Sequence, residues 1–152
     1  MRIVQAKPEH LDAIRACAEA AYEKYVARIG KTPAPMVADF ASQIAAGQVH
    51  VLIEDAAVLG FVVFYPRDDH IHLENVAVDP AHHGHGCGRM LIAFVEQQAR
   101  RQGFEAIELY TNEKMTENLT FYPRLGYREI GRWAEDGFNR VFYRKALADH
   151  LH

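Results

Sequence analysis

The chain has 152 residues, 49% of them apolar and 24% charged, a composition that suits one soluble domain, residues 1–152, around a single sizeable core. Its formal charge of −3 lacks the basic excess of a general nucleic-acid binder, and no apolar run reaches the roughly 18 residues of a membrane span. Two cysteines far apart give no disulfide framework, and "MRIVQAKPEH" lacks the apolar stretch of a secretory signal, so the expected location is a reducing cytoplasm.

In chain order, "RIVQA" (Arg2–Ala6) reads as a short first strand. Pro8 then suits a first helical turn. Leu11, Ile14, Ala18, Ala21, Tyr22 and Tyr25 follow at helical spacing and predict an amphipathic helix. "IGKTPAP" breaks it, and "MVADFASQIAAG" (Met36–Gly47) predicts a second, short helix closed by glycine. Three β-rich runs come next: Val49–Asp55, Ala57–Pro66 and His70–Val78. They predict an antiparallel meander.

The period changes after Val78. Arg89–Gly103 is helical, with Leu91, Phe94, Val95 and Gln98 on one stripe and Gly103 at the C-cap. Phe104–Thr111 is a strand, so the middle of the chain predicts a parallel β-α-β unit. "KMTENLTFYPRLGY" predicts a helix running to a break at Gly126. Two aromatic-rich runs then flank Asp136-Gly137, a strong hairpin signal. The expected fold is therefore mixed α/β (α+β): antiparallel N-terminal strands, a central parallel unit and a C-terminal hairpin.

Between the third β run and the next helix lies "VAVDPAHHGHGCGRML", with Gly84, Gly86 and Gly88 in alternation. Backbone N–H groups at a helix N-terminus lack partners, and the helix dipole favours negative charge there. Glycines let a phosphate approach those groups. The stretch from His83 to Arg89 thus predicts a phosphate or pyrophosphate cradle, the alternative being a tight turn. A P-loop would need Gly-Lys-Ser/Thr where Gly88-Arg89-Met90 stands, and a dinucleotide fingerprint would need GxGxxG after an early strand.

On these residues the chain resembles the GCN5-related N-acetyltransferases, the GNAT family. That family's acyl-CoA motif, a V-x-P stretch and then (Arg/Gln)-x-x-Gly-x-(Gly/Ala), falls on His83, Gly84, His85, Gly86, Cys87 and Gly88. A second family motif matches "FYPRLGY", Phe121–Tyr127. The element order also resembles the family fold from end to end. Two positions depart from the pattern. His83 stands where the family usually has Arg or Gln, and a neutral imidazole brings less charge to a pyrophosphate. Met115 stands where the family often has an asparagine, with Asn112 and Asn118 nearby to take over its polar contact.

The resemblance implies acetyl transfer from acetyl-CoA, as cosubstrate and with no metal, to a primary amine of a small molecule or peptide. It implies that the pantetheine arm pairs with Val76, Ala77 and Val78, with a backbone N–H there polarising the thioester. Tyr122 matches the tyrosine that protonates the leaving thiolate, and an unperturbed phenol pKa near about 10 is compatible with that task. Strand alternation sets His72, Glu74, Val76 and Val78 on one face. Glu74 is the candidate base, with His72 as rival and a solvated strand-end charge as the structural alternative. His82, His83 and His85 are read as phosphate-side donors rather than metal ligands, and Cys87 as a small residue packed beneath the loop. Tyr22, Tyr25, Phe40, Trp133, Glu135, Asp136 and Phe138 are offered to the acceptor and suit a cationic amine. Arg28, Arg132 and Arg140 suit one that bears a carboxylate. A homodimer stays open. A non-catalytic acyl-CoA sensor is the alternative function, and a nucleotide-binding domain a further rival.

Overall fold

The structure, a computed structural model, describes residues 1–147. The chain packs as two compact units, Met1–Tyr65 with Glu74–Val95, and Pro66–Leu73 with the chain from Glu96 onward. The expected strands all form: β1 (Arg2–Gln5), β2 (Val49–Glu54), β3 (Ala57–Arg67), β4 (His70–Val78), β5 (Ala106–Asn112), β6 (Arg128–Glu135) and β7 (Phe138–Ala146). They hydrogen-bond in the order β1-β2-β3-β4-β5-β7-β6, with β4 and β5 parallel and the other neighbours antiparallel. Four helices accompany them: α1 (Leu11–Ile29), α2 (Phe40–Ala45), α3 (Cys87–Arg101) and α4 (Asn118–Arg124). Among the described residues no helix is long and apolar enough to cross a membrane.

In the first unit, Pro8–His10 forms a 3-10 turn that leads into α1, and Gly30 ends α1 in the left-handed region at φ 85°. The second helix is shorter than the Met36–Gly47 its sequence suggests. Pro35 sits within a 3-10 turn over Ala34–Met36, and the Asp39 side chain captures the Ser42 N–H at 3.1 Å, so α2 starts only at Phe40. β3 is buried continuously from Leu59 to Phe64, as a strand covered on both faces should be. Gly60 lies on that run. A Cβ there would come within 2.7 Å of the Ala77 carbonyl oxygen and 3.2 Å of Leu91 Cδ1. Only glycine lets β3, β4 and α3 approach so closely. The core of this unit is Ile14, Phe40, Val51, Phe61, Leu91 and Val95 with their neighbours. Each such side chain contributes roughly 1.5–3 kcal/mol by leaving water.

In the second unit, His70, Ile71 and His72 pair in parallel with Ala106, Ile107 and Glu108. β5 then runs antiparallel to β7 from Ala106↔Ala146 to Asn112↔Arg140. The β6–β7 turn is the two-residue type its sequence demands, with Asp136 at φ 52° and Gly137 at φ 79°. α3 buries Leu91, Ile92 and Val95 in the first unit and Glu96 and Ala99 in the second, while Phe94 and Gln98 of the expected stripe are only half-buried. α4 also starts late. Asn112 Oδ1 accepts from the Lys114 N–H at 2.9 Å, and the Met115 N–H bonds to the Asn112 carbonyl at 2.9 Å. That side-chain turn competes with helix until Asn118.

Candidate active site

The glycine loop belongs wholly to the first unit. Asp79 Oδ1 accepts from the Ala81 N–H at 3.0 Å and so anchors a 3-10 turn over Pro80–His82. The chain then passes through Gly84 at φ 84° and Gly86 at φ 75° before entering α3 at Cys87. Both conformations are ones L side chains rarely adopt. A Cβ at either glycine would project into open space, with no heavy atom within 4 Å. These glycines are therefore required by backbone conformation and not by internal packing. Met90 N–H makes the first α-helical bond, 3.0 Å to the Gly86 carbonyl, so the N–H groups just before it are the orphan donors of the helix start. His83, His85 and Arg89 are exposed around them. An array of bare, dipole-backed donors with basic side chains fits an anionic phosphate group. Cys87 is buried and its Sγ lies 3.9 Å from the His82 carbonyl oxygen, beneath the loop as its sequence position suggests.

β4 runs six residues past His72, the last of its residues paired with β5. Burial alternates there: Asn75 and Ala77 are buried, while Glu74, Val76 and Val78 are half-buried on the opposite face. Glu74 is held on both oxygens. Tyr65 donates its hydroxyl to Oε1 at 2.9 Å, and Gln43 donates its amide to Oε2. A carboxylate offers about four lone-pair sites, so two remain for a proton or a substrate N–H. Gln43 Oε1 is itself buried and accepts no hydrogen bond among the described residues. Asn75, on the buried face, fixes the strand from the other side. It accepts from Tyr22 Oη at 2.7 Å and donates to the Pro35 carbonyl at 2.9 Å, while Tyr22 Oη also reaches the Val76 carbonyl at 3.0 Å. Tyr22 thus acts on the strand backbone. Phe40 sits in the core, edge-on to Phe61 at 5.3 Å, and is not available to an acceptor.

In the second unit, Tyr122 is buried on α4 among aromatic neighbours: Phe121 at 5.3 Å, Tyr127 at 5.8 Å and Tyr143 at 5.9 Å between ring centroids. Tyr127 is fixed in turn. Its hydroxyl donates to Glu96 at 2.9 Å, and Lys145 holds the other Glu96 oxygen at 3.0 Å. Burial, reinforced by that carboxylate, raises the Tyr127 pKa far above the ordinary phenol value. His72 is buried beside Tyr110, and desolvation followed by the Arg67 and His70 charges pushes its imidazole down to about 4.

The profile of the acetyltransferase (GNAT) family matches residues 13–127. The chain belongs to the GNAT family. Among the relatives of this GNAT chain is the aminoalkylphosphonate N-acetyltransferase of Salmonella typhimurium, 29% identical over 99 residues, a match that spans 59% of this chain and 64% of that protein. The chain thus covers less than two thirds of that relative's length. The fold is shared with the PaiA N-acetyltransferase of Thermoplasma acidophilum in complex with coenzyme A, at TM-score 0.78 and 15% identity over 95% of this chain and 98% of that one. It is shared as well with the GNAT-like decarboxylase GphF in complex with isobutyryl-CoA, at TM-score 0.77 and 20% identity over 97% and 100% of the two chains.

Within the GNAT motif positions, Met115 is buried and its sulfur meets Thr111 Oγ1 at 3.6 Å. Asn118 donates to Thr111 Oγ1 at 3.0 Å, and Asn112 serves the Lys114 turn, so both asparagines already have partners within the chain. His82 and His85 stand edge to face with ring centroids 6.5 Å apart, and no three metal-ligating side chains converge among the described residues. Sequence reasoning missed Gln43, Tyr65 and Asn75. Gln43 lies 31 positions from the carboxylate it holds, and nothing in a single sequence signals that pairing.

Proposed function

We propose that this GNAT chain is an acetyl-CoA-dependent N-acetyltransferase, one domain acting on a primary amine of a small molecule or peptide. The observation that carries it is the glycine loop: two left-handed glycines, bare of neighbours, at the start of a 15-residue helix and within the family's acyl-CoA motif. The coenzyme A complex of the Thermoplasma enzyme supports the choice of ligand.

Acetyl-CoA, when bound, supplies an activated acyl group and a thiolate leaving group. The N–H groups of the loop, with His83, His85 and Arg89 beside them, hold the pyrophosphate. Val76, Ala77 and Val78 offer backbone to the pantetheine arm, and an N–H among them polarises the acyl oxygen. Asn112 at the end of β5 and Asn118 at the start of α4 give polar contacts. Glu74 accepts the amine proton as the new N–C bond forms. Tyr122 gives its phenolic proton to the sulfur as the C–S bond breaks. Tyr127, pinned by Glu96 and packed against Tyr122, keeps that ring in place.

The test pairs ligand titration with two variants. Acetyl-CoA and CoA should bind in preference to ATP and NAD, and the wild type should acetylate members of a broad amine panel. Tyr122→Phe keeps the ring and should lower turnover by roughly 10²–10⁴-fold with acetyl-CoA affinity intact. Glu74→Gln should lose most at low pH, where the amine arrives protonated, and recover partly as pH rises. Tight CoA binding with no transfer to any amine would make the chain a sensor. Preference for ATP or NAD would overturn the reading altogether.

A further inference from the structure

One sheet face of the second unit carries a row of rings. Tyr110 of β5 is registered directly opposite Phe142 of β7, so the two share a face, with centroids 5.5 Å apart. Trp133 of β6 stacks on Phe142 at 3.7 Å and 10°. That stack exists because residue 131 is glycine: a Cβ there would lie 2.4 Å from the indole ring. At the other end of the row the Tyr110 ring lies 5.8 Å from the His72 ring. His72 precedes Glu74 by two residues in β4, which puts both on one face of that strand. The row therefore ends at His72.

These rings are not spent on a core. Trp133 is 45% exposed, and Tyr110 and Phe142 are only half-buried. The charges beside them are also settled. Arg140 lies over Tyr110 at 4.2 Å and faces two carboxylates, Glu135 at 2.8 Å and Asp136 at 3.4 Å. Arg132 is gripped by Glu129 through two bonds of 2.9 and 3.0 Å. Two of the three arginines that suited a substrate carboxylate are thus committed within the hairpin, and a substrate carboxylate would have to displace an existing pair. Around Arg140 one cation faces two anions, which leaves a surplus of negative charge next to π faces. Both features attract an ammonium group.

We propose that the acceptor is a cationic primary amine bearing a planar aromatic group, which lies on the floor formed by Trp133, Phe142 and Tyr110 with its ammonium directed along the row toward its His72 end. The inference rests on the N-acetyltransferase reading and narrows its substrate. It sets an arylalkylamine above an aliphatic amine and above a zwitterionic amino acid.

Trp133 is the chain's one tryptophan, so its fluorescence reports occupancy of the floor without any turnover. 2-Phenylethylamine should change that emission at concentrations at least tenfold below those n-butylamine needs. In the acetyl-transfer assay, kcat/KM should fall in the order 2-phenylethylamine, n-butylamine, phenylalanine, with about tenfold between the first and second. Trp133→Ala should remove the aromatic preference by raising KM for 2-phenylethylamine about tenfold. The kcat/KM ratio between the two amines should collapse to within about twofold in that variant, and Trp133→Phe should restore most of the ratio. Glu135→Gln with Asp136→Asn, which releases Arg140, should shift preference toward phenylalanine. Equal kcat/KM for the two amines, or an equal loss for both in Trp133→Ala, would overturn the proposal and leave the acetyltransferase reading standing. No transfer to any amine would overturn that reading, and the fluorescence titration would then decide the floor by itself: equal response to both amines refutes it.

Discussion

Replacing Gly86 with alanine and with valine separates the conformational demand of the loop from its proposed task. Gly86 sits at φ 75°, a region that costs an L-residue roughly 1–2 kcal/mol. No heavy atom lies within 4 Å of a Cβ built there, so no steric clash adds to that figure. A substituted chain also loses entropy in the unfolded state, which offsets roughly 0.4–1 kcal/mol. The net loss for Gly86→Ala is then about 1 kcal/mol, or about 2–4 °C in melting temperature for a chain of this size. Valine, stiff at χ1 and poorly suited to positive φ, should lose more. CoA affinity has a separate cause. The side chain would stand in the space where a phosphate must come to reach the α3 donors, so binding should weaken at least tenfold, about 1.4 kcal/mol, in either variant. Thermal melts give the first quantity and calorimetric titration with CoA the second. A Gly86→Val protein that melts early but binds CoA like the wild type would reduce the loop to a turn. One that melts like the wild type would contradict the left-handed conformation itself.

Both thiols are buried, and the Cys17 thiol is pushed up to about 12 by burial and then by Asp79, so a thiol reagent should find neither cysteine in the native protein and both after denaturation. Rapid labelling of the native chain would contradict the packing under the loop. His72 gives a pH signature. Its folded pKa is depressed to about 4 by burial first, so as pH falls below about 6.5 the unfolded chain takes a proton that the folded one refuses. The stability it contributes is whole above about pH 6.5 and is drained by about 3 kcal/mol at most on the way to pH 4. Denaturant unfolding at pH 7 and pH 4.5 should show a smaller acid loss in His72→Phe than in the wild type, and equal losses would show that another group carries the acid sensitivity.

Periodicity and turn chemistry made most of the elements legible. The β2–β3 and β6–β7 turns are carried by Asp55 and by Asp136-Gly137, each in the left-handed region that these residue types tolerate. The glycine loop was readable for the same reason, since its demand is on the backbone of Gly84 and Gly86. Helix starts were not. α2 begins at the Asp39 cap, which accepts from the Ser42 N–H within the helix, and α4 begins only after the side-chain turn at Asn112–Lys114; helical spacing registers neither. Gly60 and Gly131 were equally silent, because each is required by an atom distant in sequence or folded back across a bulge: the Ala77 carbonyl for one, the Trp133 indole for the other.

In the proposed mechanism, the choice of base rests on both kinds of information. Alternation alone offers His72 and Glu74 alike, since both lie on one face of β4. Tertiary structure separates them by access. His72 is 6% exposed, packed against Tyr110, and its low pKa leaves it little appetite for a proton at neutral pH. Glu74 is half-buried, and its two donors, Tyr65 and Gln43, come from side chains that steady the carboxylate while leaving lone pairs open. A group that must receive a proton from an incoming amine needs that opening more than it needs intrinsic basicity, because proximity and orientation lower the barrier only for a group the amine can reach. His72, buried and held neutral at pH 7 by desolvation and by the nearby Arg67 charge, closes the end of the aromatic row beside Tyr110.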